Sequence, residues 1–131
     1  MAAIKLSSAL VAHLKQRQLA DKQLVLITDD GGGKYSLQGG ACTIGTNFTL
    51  IVLDQPDPDY AVPLTNAAGL HLWTSPYDLV FLETGVAMDY GQGQISLKDD
   101  AHVLDNAVQI ADGATVLAAF DRGMTPKGTS C

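Results

Sequence analysis

The sequence is poor in cysteine, in basic residues and in long apolar runs, and each shortage excludes something. Two cysteines, Cys42 and Cys131, permit one disulfide at most, so this is no disulfide-built scaffold. Eight Lys and Arg against fourteen Asp and Glu leave a formal charge of −6, and no stretch concentrates the basic residues. Such a surface repels a phosphate backbone, which makes nucleic acid a poor partner. The longest apolar stretches, such as Leu24-Val25-Leu26-Ile27 and Leu50-Ile51-Val52-Leu53, are strand-sized. A membrane-spanning helix needs roughly 20 such residues, so no membrane partner is expected. Nor does a hydrophobic segment of signal-peptide length precede Lys15 and Arg17. The expected address is therefore cytoplasmic, where both cysteines stay as thiols.

What the chain does have is apolar content, 47% of its 131 residues, with neither an internal repeat nor a linker. This predicts a single domain over residues 1–122 and a flexible tail over 123–131. Ile4-Lys5-Leu6 reads as a short strand. Ser7 stands where an N-cap belongs, ahead of a helix predicted from about Ser8 to Gln18 with Leu10, Val11 and Leu14 on one face. Gln23 to Thr28 is apolar and β-branched and ends in Asp29-Asp30-Gly31-Gly32-Gly33, a strand followed by a glycine-rich turn. Asn47 to Asp54 predicts a second strong strand, closed by Gln55-Pro56-Asp57-Pro58-Asp59. Leu70 to Thr74, Val80-Phe81-Leu82, Val86 to Tyr90 and Gln94 to Leu97 follow as short segments separated by turns, which predicts a largely antiparallel sheet. A further piece is expected from Leu104 to Ile110, and Ala114 to Phe120 fits either a last strand or a short helix.

Few of these residues carry an obvious chemistry. The Asp29–Tyr35 stretch is no phosphate loop, because Thr28 and Tyr35 stand where such a loop needs Gly and Ser or Thr. Asp54, Asp57 and Asp59 lack the glycine and the closing Glu of a calcium loop, so a solvated turn is expected; Asp99-Asp100 likewise reads as a solvent-facing turn or a helix start and not as a metal site. His13, His71 and His102 are too far apart for a metal motif. His13 is expected on the exposed part of the helix and His71 on the outer face of its strand. Cys42, within Gly39-Gly40-Ala41-Cys42-Thr43, admits two readings: a small buried hydrophobe, or a thiolate open to a soft metal or an electrophile. A catalytic pairing with His71 or His102 would need a proximity that spacing does not supply. Cys131 sits eleven residues beyond Phe120, a segment that extends at most about 36 Å, so it can reach Cys42 or a second subunit.

The order of these segments resembles the HesB-type iron–sulfur cluster biosynthesis proteins. The likeness is carried by the strand and capped helix from Ile4 to Arg17, and by the Leu24–Thr28 strand leading through glycines to Cys42. The Phe48–Asp54 strand with its acidic turn, and Leu70-His71-Leu72 ahead of Tyr77-Asp78-Leu79-Val80-Phe81-Leu82, continue it. Gly93 to Asp99 and Asp105 to Ile110 are similar to paired segments in small variants of that superfamily from lactic acid bacteria. The resemblance implies a HesB-like α+β fold, a compact β-rich domain with mixed strands and an N-terminal helix. It also implies a non-enzymatic carrier or scaffold that holds iron or a nascent iron–sulfur cluster and works with cluster-assembly or recipient proteins. In that family a cysteine in a glycine-rich stretch and a C-terminal Cys-Gly-Cys pair supply thiolates. Cys42 corresponds to the first, whereas the pair is absent and only Cys131 follows. Clusters usually take four protein thiolates, so the expected set, Cys42 and Cys131, is completed by a homodimer if both participate, and otherwise requires an external thiol or a different metal. The alternatives are a HesB-fold binding module that holds a partner without a cluster, and a thiol enzyme built on Cys42.

Overall fold

The computed structural model describes residues 3–29, 35, 47–80, 82, 85–100 and 103–121. Its elements are, in order, β1 (Lys5–Leu6), α1 (Ser8–Gln16), β2 (Gln23–Asp29), β3 (Asn47–Leu53), β4 (Val62–Pro63) and β5 (His71–Thr74). They continue with α2 (Pro76–Leu79), β6 (Ala87–Gly91), β7 (Gln94–Lys98), β8 (Val103–Asp105), β9 (Gln109–Asp112) and α3 (Gly113–Asp121). The class is α+β with mixed sheets, as expected.

Helix α1 starts where its cap predicts. Ser7 is extended and its Oγ accepts the Leu10 N–H at 3.1 Å. The helix stops two residues short of Gln18, which takes φ +60°. The Gln18 N–H then donates to the Lys15 carbonyl and the Leu19 N–H to the Leu14 carbonyl, a Schellman closure built on Gln in place of the usual Gly. Ser7 also donates to Asp89 of β6, and this bond, followed by the Tyr90 N–H, holds the Asp89 carboxyl below its ordinary pKa. A depressed folded-state pKa contributes stability above the unfolded-state value and loses it as pH falls through the folded one. Ser7→Ala is therefore expected to cost about 1 kcal/mol through the lost cap. It should also move the Asp89 titration upward, which urea unfolding and carboxyl NMR against pH would check.

Two sheets form. One runs β1-β6-β7-β8 and the other β4-β5-β2-β3-β9. The sequence pattern predicts mostly antiparallel pairing, but β1–β6, β2–β5 and β3–β9 are parallel. Strand β2 explains its own composition. Leu24 and Leu26 point into a core shared with Leu50 and Val52 of β3, Met88 and Leu97 of the smaller sheet, and Leu10 and Leu14 of α1. Val25 and Ile27 point the other way, into a second cluster with Ile51, Tyr35 and Val116 of α3. A strand buried on both faces reads as an unbroken apolar run.

The β6–β7 hairpin turns through Gln92 and Gly93, both at positive φ, the two-residue turn whose twist matches the strands. At the start of α3, Asp112 accepts from the Thr115 N–H and hydroxyl, and Gly113 lies so close to Leu53 that a Cβ there would collide with it. Helix is thus the outcome for Ala114 to Phe120.

Three local expectations change. Val80 is the exposed C-cap of α2 and lies in no strand. The single piece from Leu104 to Ile110 is two strands in different sheets, β8 and β9. Asp99 is 6% exposed, where a solvent-facing turn is expected, because it continues the inward period of Ile95 and Leu97 beyond β7.

Candidate functional site

The cysteine singled out by sequence, Cys42, belongs to residues 36–46, which together with Cys131 and His102 lie outside the described residues. The described structure supplies the frame on which that segment is mounted, the open end of the β2–β3 hairpin. There the central ladder runs out of strand neighbours on both sides. Strand β5 pairs with β2 only as far as Val25 and Trp73. Beyond that point side chains take over the backbone's hydrogen bonds: Thr74 Oγ1 donates to the Leu26 carbonyl at 2.8 Å, and the Thr28 N–H donates to Asp78 Oδ1 at 2.9 Å. On the opposite edge β9 reaches only to Thr49, and the Phe48 N–H donates to Asp105 Oδ2 at 2.9 Å.

Asp78 is 4% exposed, and its position follows from local sequence. Ser75 caps α2, Pro76 begins it, and Asp78 at the third helical position receives the Ser75 hydroxyl while its own N–H donates back to Ser75 Oγ. The pattern Ser75-Pro76-Tyr77-Asp78 is a capping-box signature, and it was the available signal for this short helix. Thr28 Oγ1, buried alongside, has no hydrogen-bond partner among the described residues.

On the far side of the larger sheet, a cavity of about 460 Å³ is lined by Asp54, Asp57, Asp59, Asp112, Tyr35 and Leu117, among others. The carboxylates of Asp54, Asp57 and Asp112 are engaged within the fold, the last by Thr115. Tyr35 donates to Asp57 at 2.6 Å, the Asp59 N–H donates to Asp57 at 2.9 Å, and Lys22 pairs with Asp54. Asp54, and to a smaller extent Asp112, hold the Lys22 ammonium above its ordinary pKa. Among the described residues no three His, Cys, Asp or Glu side chains are grouped so as to hold a metal ion. His71 lies on the exposed face of β5 as predicted. His13 departs from the expectation of an exposed position: it is half-buried and stacks on Tyr90 of β6, ring centroids 3.8 Å apart, because α1 packs against that strand. No helix among the described residues is long and apolar enough to cross a membrane.

The sequence matches the family model for iron–sulphur cluster biosynthesis over residues 2–112. A crystal structure of "a putative Fe-S biosynthesis protein" from Lactobacillus acidophilus superposes with a TM-score of 0.81 at 41% identity, covering 92% of this chain and 97% of that one. A second such crystal structure, from Lactobacillus salivarius and described as having a novel fold, aligns with a TM-score of 0.63 at 19% identity. It covers 84% of this chain and 97% of that one, and at that identity the likeness concerns the fold alone. No curated protein matches the sequence. Taken with the mixed two-sheet architecture, a family model that covers nearly every described element places this chain in the HesB-like iron–sulphur cluster biosynthesis family.

Proposed function

We propose that the protein is a non-enzymatic, cytoplasmic carrier or scaffold that holds iron or a nascent iron–sulfur cluster as cargo through the Cys42 thiolate, with Cys131 as the second ligand. The observation that supports this reading is the family match itself, whose residues 2–112 take in Cys42 and the hairpin from which its segment departs. Thiolate is the soft donor that iron and bridging sulfide accept, and cargo passes on by ligand exchange with a cluster-assembly or recipient protein. No cysteine lies between Thr43 and Ser130, so one chain offers two thiolates and a homodimer offers the usual four.

Anaerobic reconstitution with ferrous iron and sulfide tests the proposal. The native protein is expected to develop visible charge-transfer absorption with bound iron and sulfide, and Cys42→Ser to abolish both. A native protein that stays colourless would overturn it. The missing Cys-Gly-Cys pair favours one second reading, a module of the same fold that binds a partner protein without a cluster. That reading gains if reconstitution fails and a partner retained by the native protein is also retained by the Cys42→Ser, Cys131→Ser double variant.

A further inference from the structure

A second cavity, of about 240 Å³, lies where α1 meets the β6–β7 hairpin and the chain entering β9. His13, Arg17, Tyr90, Gln94 and Gln109 supply its polar lining, and none of its lining residues is Asp or Glu, in a chain of net charge −6. His13 and Arg17 are one helical turn apart and so share a face of α1. Ile95 and Val108 form a buried apolar floor, held together by the Val108 N–H donating to the Ile95 carbonyl at 2.9 Å.

Around this floor Arg17, Gln94 and Gln109 are exposed and His13 and Tyr90 half-buried, so their polar groups are open to solvent. Among the described residues, the side chains of His13, Arg17, Tyr90, Gln94 and Gln109 make no hydrogen bond or ion pair; the His13–Tyr90 stack, with rings 9° from parallel, is their one specific contact. Stacking occupies ring faces and leaves the imidazole nitrogens and the phenol free at the edges. Guanidinium is a donor without acceptor capacity, the two primary amides and the phenol can donate beside it, and no carboxylate lines the cavity, so an acceptor-rich, negatively charged group fits this lining. A few convergent polar side chains over an apolar floor are the usual make-up of a small-molecule site.

We propose that this cavity binds a small organic anion. Its single carboxylate or phosphate group is held by Arg17 with Gln94 and Gln109, and its flat or apolar body lies on Ile95, Val108 and the His13–Tyr90 pair. The inference is independent of either cysteine.

Titration of the full-length protein with benzoate, phenyl phosphate and inorganic phosphate, followed by amide NMR, tests it. Saturable shifts are expected at Gly93–Ile95, at Val108–Ile110 and in the Gln94 and Gln109 side-chain amides, with inorganic phosphate weaker than phenyl phosphate. The tighter of the two aromatic probes identifies the headgroup. Arg17→Gln should weaken binding by about tenfold, the scale of a charge-assisted contact. Lys15→Gln, a cation of the same helix that does not line the cavity, should leave it unchanged. Shifts that rise linearly without saturation, equal weakening by both substitutions, or an unaltered Arg17→Gln affinity would each overturn the proposal.

Discussion

Leu50→Ala is expected to lower the unfolding free energy by about 4 kcal/mol, towards the upper part of the range for buried leucine truncations. The size follows from where the side chain stands. Leu50 is fully buried in the core that the two sheets and α1 share. Its backbone is paired on both sides, with Leu26 of β2 and with Ile110 of β9. Neighbouring strands tied by ladder hydrogen bonds shift little, so the space left by the missing atoms stays largely open, and a cavity term adds to the lost transfer energy. A domain stable by 5–15 kcal/mol loses a large share of its margin by such a change. Urea unfolding should show a lower midpoint with an unchanged slope. Val103→Ala on β8, whose side chain is 53% exposed, should change stability by less than about 0.5 kcal/mol. A Leu50→Ala loss as small as that of Val103→Ala would mean that the two sheets do not close over this position.

The same positions show what could be read from sequence and what could not. Leu24 to Ile27 and Leu50 to Leu53 announce central strands because burial on both faces removes any polar alternation, and Ser7 announces α1 because a cap is a local device. Pairing partners are another matter. That β2 lies parallel to β5, and β3 parallel to β9, depends on contacts between distant segments. The end of α1 falls short of Gln18 because that residue adopts a conformation that usually requires glycine, a stop its side chain does not announce. Helix α2 has only the cap signature of Ser75 and Asp78 to announce it, beside a stronger apolar signal in the residues after it. For the candidate site, Cys42 is legible as a residue type, while its surroundings fall outside the described residues. The anion cavity is not legible, since its lining is assembled from α1, the β6–β7 hairpin and the entry to β9, three segments far apart in the chain.

Asp78→Ala is expected to cost about 3 kcal/mol, the second-largest effect, through unsatisfied donors more than through lost contact area. The carboxylate accepts from the Thr28 N–H and from the Ser75 hydroxyl in a site with almost no access to water. Alanine leaves both donors buried and unpaired, and removes the acceptor that stands in for the strand neighbour β2 lacks beyond Val25. Asp78→Asn keeps one oxygen acceptor and should recover part of the loss. Because Ser75 and Asp78 serve each other, Ser75→Ala combined with Asp78→Ala should destabilise by less than the sum of the two single changes. Hydrogen exchange separates this account from a general loosening of the protein. The Thr28 amide should lose protection in Asp78→Ala well beyond the fall in global stability, while Leu24 and Val25, where β2 is paired on both sides, follow the global value. Equal loss at all three amides would show that Asp78 supports the whole sheet and does not specifically clamp the end of β2, where the segment bearing Cys42 begins.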